Sequence, residues 1–99
     1  MDHKVIFKDF FIEDLELILR KIAVDNPTAA RNLGELVIKM AESLSFFPER
    51  HPRVRQRPQI RRFIVKKHFK VFYRIEPESR NVEILRCWDG RRRNDPIIP

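Results

Sequence analysis

The apolar residues of this chain change their period once, and that change limits the folds available to it. Phe11, Leu15, Ile18, Leu19 and Ile22, followed by Ala30, Leu33, Val37, Met40, Ala41 and Leu44, recur every three to four positions. Later, Phe69, Val71, Tyr73 and Ile75 alternate with Lys70, Phe72 and Arg74. The first spacing is one face of a helix and the second one face of a strand. A chain with both has to lay helical stripes on a sheet.

Asp25-Asn26-Pro27 separates the two helical stripes. Pro27 suits a first helical position, where no N–H is needed, and Asn26 can cap from just before it. So short a join makes the helices an antiparallel hairpin. Gly34, inside the second helix, costs about 1 kcal/mol relative to alanine, which suggests close approach of the first. Asp9 is the expected cap of the first helix, and Phe46, Phe47 and Pro48 are expected to close the second. HKVIFK, residues 3–8, reads as a short first strand.

Residues 49–60, ERHPRVRQRPQI, have two prolines in their middle and no apolar period, so they read as a charged loop. RRFIV, a turn near Lys66 to His68, FKVFYRI, the turn EPESRN and VEILRCW then give three strands. The expected fold is α+β: an N-terminal strand and an antiparallel two-helix hairpin packed on a small, mainly antiparallel sheet completed by a C-terminal three-strand meander. One domain spanning 1–99 is expected. With Lys70, Arg74 or Arg86 on it, the second sheet face is expected to be a shallow basic surface rather than a second core.

Charge is polarised. Residues 1–49 hold six Lys/Arg against nine Asp/Glu, and residues 50–99 hold fifteen against five, for a net +7. Arg50 to Arg74 contains ten Lys/Arg and no acid, a density that attracts phosphate or an acidic protein. No apolar run reaches the length of a membrane span, and acids interrupt the apolar residues of the N-terminus, so a cytoplasmic chain is expected. Cys87 is the only cysteine; it reads as a small buried thiol, and with no His or second Cys at ligand spacing neither a metal nor a cofactor is expected.

The stretch RCWDGRRR concentrates charge at the end of the last strand. Gly90 permits a sharp corner, Trp88 is an anchor beside it, and Arg91, Arg92 and Arg93 project from a fixed base. With Arg86 these form the candidate target-binding set, because rigid arginines lose less freedom when they engage a partner. The plainer reading is that Trp88 plugs the core and Asp89 pairs with a neighbouring arginine. Acid–base candidates are few: Tyr73 is mid-strand, where a packed aromatic is expected, and His68 lies at a turn. If the chain cuts RNA, Arg61, Lys67, Arg74, Arg86 and Arg92 are the candidate cations around the phosphate.

The segment FKVFYRIEPESRNVEILRCWDGRRRNDP resembles the end of the RelE/ParE toxin superfamily, with Tyr73-Arg74-Ile75, Ile84-Leu85-Arg86 and Gly90-Arg91-Arg92 at matching positions. The helical hairpin with NPTAARNL, followed by Phe47-Pro48, is similar to the ParE, or plasmid-stabilisation, branch. Asp89 stands where ParE-like chains often have histidine, and Asp95 follows Asn94 instead of the arginines. The resemblance implies the toxin of a type II toxin–antitoxin pair, neutralised by a cognate antitoxin that also sets the oligomeric state. It implies inhibition of DNA gyrase without catalysis. The alternative within the superfamily is a ribosome-dependent mRNA endoribonuclease. Outside it, a small basic nucleic-acid-binding domain is the third reading, since Phe69, Phe72 and Tyr73 stand among cations.

Overall fold

A computed structural model describes residues 2–99. Strand β1 (Lys4–Phe7) leads into α1 (Asp9–Asp25) and α2 (Pro27–Glu42), two single-turn 3-10 helices at Ser43–Ser45 and Pro48–Arg50, and then β2 (Arg53–Val54), β3 (Arg57–Val65), β4 (Phe69–Glu76) and β5 (Asn81–Asp89). The strands form one sheet in the order β1-β5-β4-β3-β2, with β1 parallel to β5 and every other pair antiparallel. The fold is the expected α+β arrangement, with one further strand.

The helical hairpin forms for the reasons its sequence gives. Asn26 Oδ1 accepts from Ala29 N at 3.0 Å, with Pro27 beginning α2. A Cβ on Gly34 would come within 2.8 Å of Leu19 Cδ1, so the missing side chain lets α1 and α2 close up. Asp9 is not a cap: Lys8 holds that position with no side-chain bond, and Asp9 stands in the first turn, where a carboxylate opposes the positive end of the helix dipole. Closure of α2 falls to the two 3-10 turns and to buried Pro48, while Phe46 and Phe47 remain 56% and 79% exposed.

The expected loop at 49–60 is partly sheet. Residues 53–54 pair with β3, and Pro58 is accommodated in β3 because pairing with β4 starts at Ile60 and pairing with β2 uses Arg57 and Arg61. No ladder bond needs its absent N–H.

One face of the sheet and the helices enclose Phe11, Leu15, Leu33, Val37, Leu44, Phe63, Val71, Tyr73, Val82, Ile84 and Cys87. The other face departs from expectation. Ile60, Phe72 and Leu85 are buried there, with Val54, Trp88 and Ile98 packed against them, so it carries a small second core. Its cause is a β-bulge: Phe72 lies opposite Arg86 and Tyr73 opposite Ile84, which leaves Leu85 as an extra residue in β5. The shift places Ile84 and Cys87 in the main core and Leu85 on the outer face. No helix among the described residues is long and apolar enough to cross a membrane.

Candidate functional site

Beyond Ile84, β5 has no strand on its outer edge, because Lys8 N donates to Ile84 O and the chain then turns into α1. The first element to meet that edge is the side of α1. Asp14 Oδ2 accepts from Cys87 N at 3.1 Å and from Arg86 Nε at 2.6 Å, while its Oδ1 accepts from Arg86 Nη2 at 2.9 Å. One carboxylate thus satisfies an orphan edge N–H and grips a guanidinium in a two-pronged pair. That pair raises the Arg86 pKa further above its already high value. Phe10 and Trp88 flank the same guanidinium, with ring centroids 5.2 and 5.5 Å from Cζ.

The corner follows. Gly90 N donates to His68 O at 2.6 Å, and a Cβ at Gly90 would also lie 2.6 Å from that oxygen, so the position demands glycine by contact and not by positive φ. Asp89 accepts from the backbone N, Nε and Nη2 of Arg91 at 2.8–3.0 Å. The hydrogen-bonded guanidinium holds the Asp89 carboxyl down at about 2. Arg92 lies 3.8 Å over the Trp88 ring, and Trp88 Nε1 donates to Asn94 O at 2.6 Å. Arg93 is exposed.

Arg86, Trp88, Arg91 and Arg92 therefore do meet at one corner, but not as three free prongs on a base. Arg91 is turned back onto Asp89 and Arg92 onto Trp88, so the plainer expectation of an Asp89 pair holds at the same time. The side of the corner facing α1 opens into a groove of about 750 Å³ bordered by Leu17, Ile18, Lys21, Trp88, Arg91 and Arg92.

The residues expected of a nuclease are not gathered. Arg61 donates to the carbonyls of Glu49 and His51 and stands opposite Tyr73 in the sheet. Lys67 is in the β3–β4 turn, Arg74 is paired with Glu83 and Glu76, and Arg86 with Asp14. Tyr73 is fully buried; its hydroxyl donates to Pro48 O at 2.5 Å, and burial pushes its pKa up to about 12. Burial does the same to Cys87, also to about 12, which leaves it a thiol. His51 has a lowered pKa, chiefly from burial and then from Arg50, and its ring packs on Phe63. His68 offers its carbonyl to Gly90 and its ring to Phe69. Among the described residues, no group of His, Cys, Asp or Glu could hold a metal ion.

Asp14 went unnoticed in the sequence. As a polar residue one position before Leu15 in the stripe, it looks like any solvated helix carboxylate. Only the bulge in β5 and the exit of β1 bring Arg86 and Cys87 N to it.

The family model for the ParE toxin of type II toxin–antitoxin system, parDE, matches residues 5–94. No curated protein sequence matches the chain. A chain of the chromosomal ParDE TA system from P. aeruginosa shares the fold with a TM-score of 0.76 at 17% identity, covering 88% of this chain and 95% of that one. A chain of the toxin-antitoxin complex RelBE2 from Mycobacterium tuberculosis aligns with a TM-score of 0.64 at 23% identity, covering 90% and 92%.

Proposed function

The chain belongs to the ParE toxin family of type II toxin–antitoxin systems, and from that premise we propose that it acts by binding DNA gyrase, without chemistry of its own, until a cognate antitoxin sequesters it. The observation that carries this reading is the corner at the end of β5. There a glycine contact, an Asp89–Arg91 clasp and an Arg92–Trp88 stack hold a large aromatic and two cations in one arrangement. Pre-ordered aromatic and arginine side chains are what a protein interface uses for most of its affinity.

Cleavage of RNA would need a base for the 2′-hydroxyl, an acid for the leaving oxygen and cations on the phosphate between them. Tyr73 is locked onto a backbone carbonyl, and the candidate arginines are divided between the two sides of the sheet and are largely engaged. This supports binding over cutting.

The test is expression without antitoxin, together with a supercoiling assay on purified gyrase. Gyrase–DNA cleavage complexes should accumulate and supercoiling should fall. Trp88→Ala and Arg92→Ala should each weaken both effects about tenfold or more, as loss of a central aromatic or arginine does at other interfaces. Intact gyrase activity with new cuts in translated mRNA would move the protein to the endoribonuclease reading.

A further inference from the structure

Residues 95–99 form a strap over the outer face of the sheet. Lys70 Nζ binds Asp95 Oδ1 at 2.8 Å, Arg86 Nη1 donates to Ile97 O at 2.7 Å, and Arg74 Nη1 reaches Pro99 O at 3.4 Å. Ile98 packs on the patch of Ile60, Phe72 and Leu85. These five residues lie beyond the segment that matches the family model, which ends at residue 94.

The surface beneath the strap is specific in what it offers. Arg86 and Arg74 already have their charges matched, by Asp14 and by Glu83 with Glu76. Their outward N–H groups are left as fixed donors suited to neutral carbonyl oxygens. Lys70 is the cation that takes a carboxylate, with Arg62 beside Phe72 as a second. Between them lies a slot that accepts a branched aliphatic side chain. A phosphate backbone would want cations in a row and no carboxylates among them. A peptide wants what is present: carbonyl-directed donors, one charge and one apolar slot.

We propose that this outer face is a binding cleft for an extended peptide of a partner protein carrying a carboxylate three residues before a branched aliphatic residue, and that residues 95–99 occupy it as a resident stand-in. The strap mimics that ligand through Asp95 and Ile98. It is held by solvent-exposed polar contacts, each a weak stabiliser, and by two side chains, buried Pro96 and partly buried Ile98, so displacing it uncovers a small apolar area that an incoming peptide covers again. The cleft adjoins the corner at the end of β5, with Trp88 packing on its apolar floor and Arg86 reaching into it, but the proposal does not depend on gyrase being the target.

The experiment uses a fluorescent peptide of sequence NDPIIP, with anisotropy as the readout, against the full chain and a chain ending at Asn94. Removing the resident should raise the peptide's affinity about tenfold, because only the open fraction of the full chain is competent to bind. Peptides with Asp95→Ala or Ile98→Ser should bind the shortened chain at least about tenfold more weakly, a loss of about 1.4 kcal/mol. Lys70→Met in the shortened chain should reproduce the first of these losses. If the shortened chain does not fold, full-length Ile98→Asp, which frees the strap without removing it, decides by the same readings. Equal affinity of covered and uncovered chains, or indifference to Asp95 and Ile98 in the peptide, overturns the proposal. So does a gain on uncovering for an oligouridylate but not for the peptide, which would make the face a nucleic-acid surface.

Discussion

Asp14 is the residue on which the C-terminal half of β5 depends. It accepts three hydrogen bonds, two of them from a guanidinium whose side chain is only 15% exposed. Asp14→Ala should lower stability by about 2–4 kcal/mol in urea denaturation, since it strands both a charge and a backbone N–H in a half-dry site. Arg86→Ala should cost a similar amount, and the double variant should fall short of the sum by more than about 1 kcal/mol. Additive losses would show that the pair is not a unit. The two glycines make a second contrast. At Gly34 a methyl meets the end of a leucine side chain, which can turn aside while the helix gains propensity, so Gly34→Ala should stay within about 1 kcal/mol of wild type. At Gly90 it meets the carbonyl oxygen of His68 and the Lys70 side chain. Because a backbone carbonyl cannot yield without the turn moving, Gly90→Ala should destabilise by about 1–3 kcal/mol, the range of overpacking, and should shift Trp88 emission. Thermal melts of the two variants check both expectations.

At the scale of elements, the turn between β3 and β4 concentrates backbone strain. Lys66 and Lys67 both have positive φ, 51° and 73°, a conformation that favours Asn and Gly over lysine. Replacing the pair by Asn-Gly should stabilise by about 1 kcal/mol and raise the melting temperature by about 4–8 °C. An unchanged or lower value would mean that the lysines hold the turn through something else. The helices, the strand order within the meander and the Asn26 cap of α2 were legible in the sequence because each rests on a local rule: a period, an Asn-Pro junction, a turn composition. The Asp9 cap was misplaced by one residue because Lys8, still extended after β1, takes the position. The bulge at Leu85 was not legible, because VEILRCW alternates acceptably without it, and only the competition between burying Leu85 and burying Arg86 decides. The second core was hidden because Ile60, Phe72, Leu85 and Ile98 are far apart in the chain, and Phe72, the one of them in a patterned run, stands between Lys70 and Arg74 and so reads as an isolated apolar residue on a basic face. At the corner, the glycine, the tryptophan and the pairing of Asp89 with a neighbouring arginine could be read, but the turn of Arg92 onto the Trp88 ring could not.

Across the whole molecule, charge follows the layers. Helix α1 holds five Asp/Glu and two Lys/Arg, whereas the stretch from Arg50 through β2, β3 and most of β4 holds ten Lys/Arg and no acid. The helical layer therefore partly offsets a sheet edge that repels itself. Added salt acts on both sides of this balance. It weakens the pairs Arg91–Asp89 and Lys70–Asp95, whose partners are 65% and 26%, and 23% and 47%, exposed and which contribute little in any case. It also screens the repulsion among Arg53, Arg55 and Arg57, from β2 to the start of β3, and between Lys66 and Lys67 at the far end of β3, and a Debye length that falls from about 10 Å at 0.1 M toward about 3 Å at 1 M removes most of that cost. The Arg86–Asp14 pair is shielded and keeps its strength. Screening of repulsion should win, so raising sodium chloride from 0.1 to about 0.5 M should increase the melting temperature by several degrees. Arg53→Gln/Arg55→Gln should be more stable than wild type at low salt and indistinguishable at high salt. A melting temperature that falls with salt would mean that the surface pairs, and not the uncompensated arginines, dominate the electrostatics of the fold.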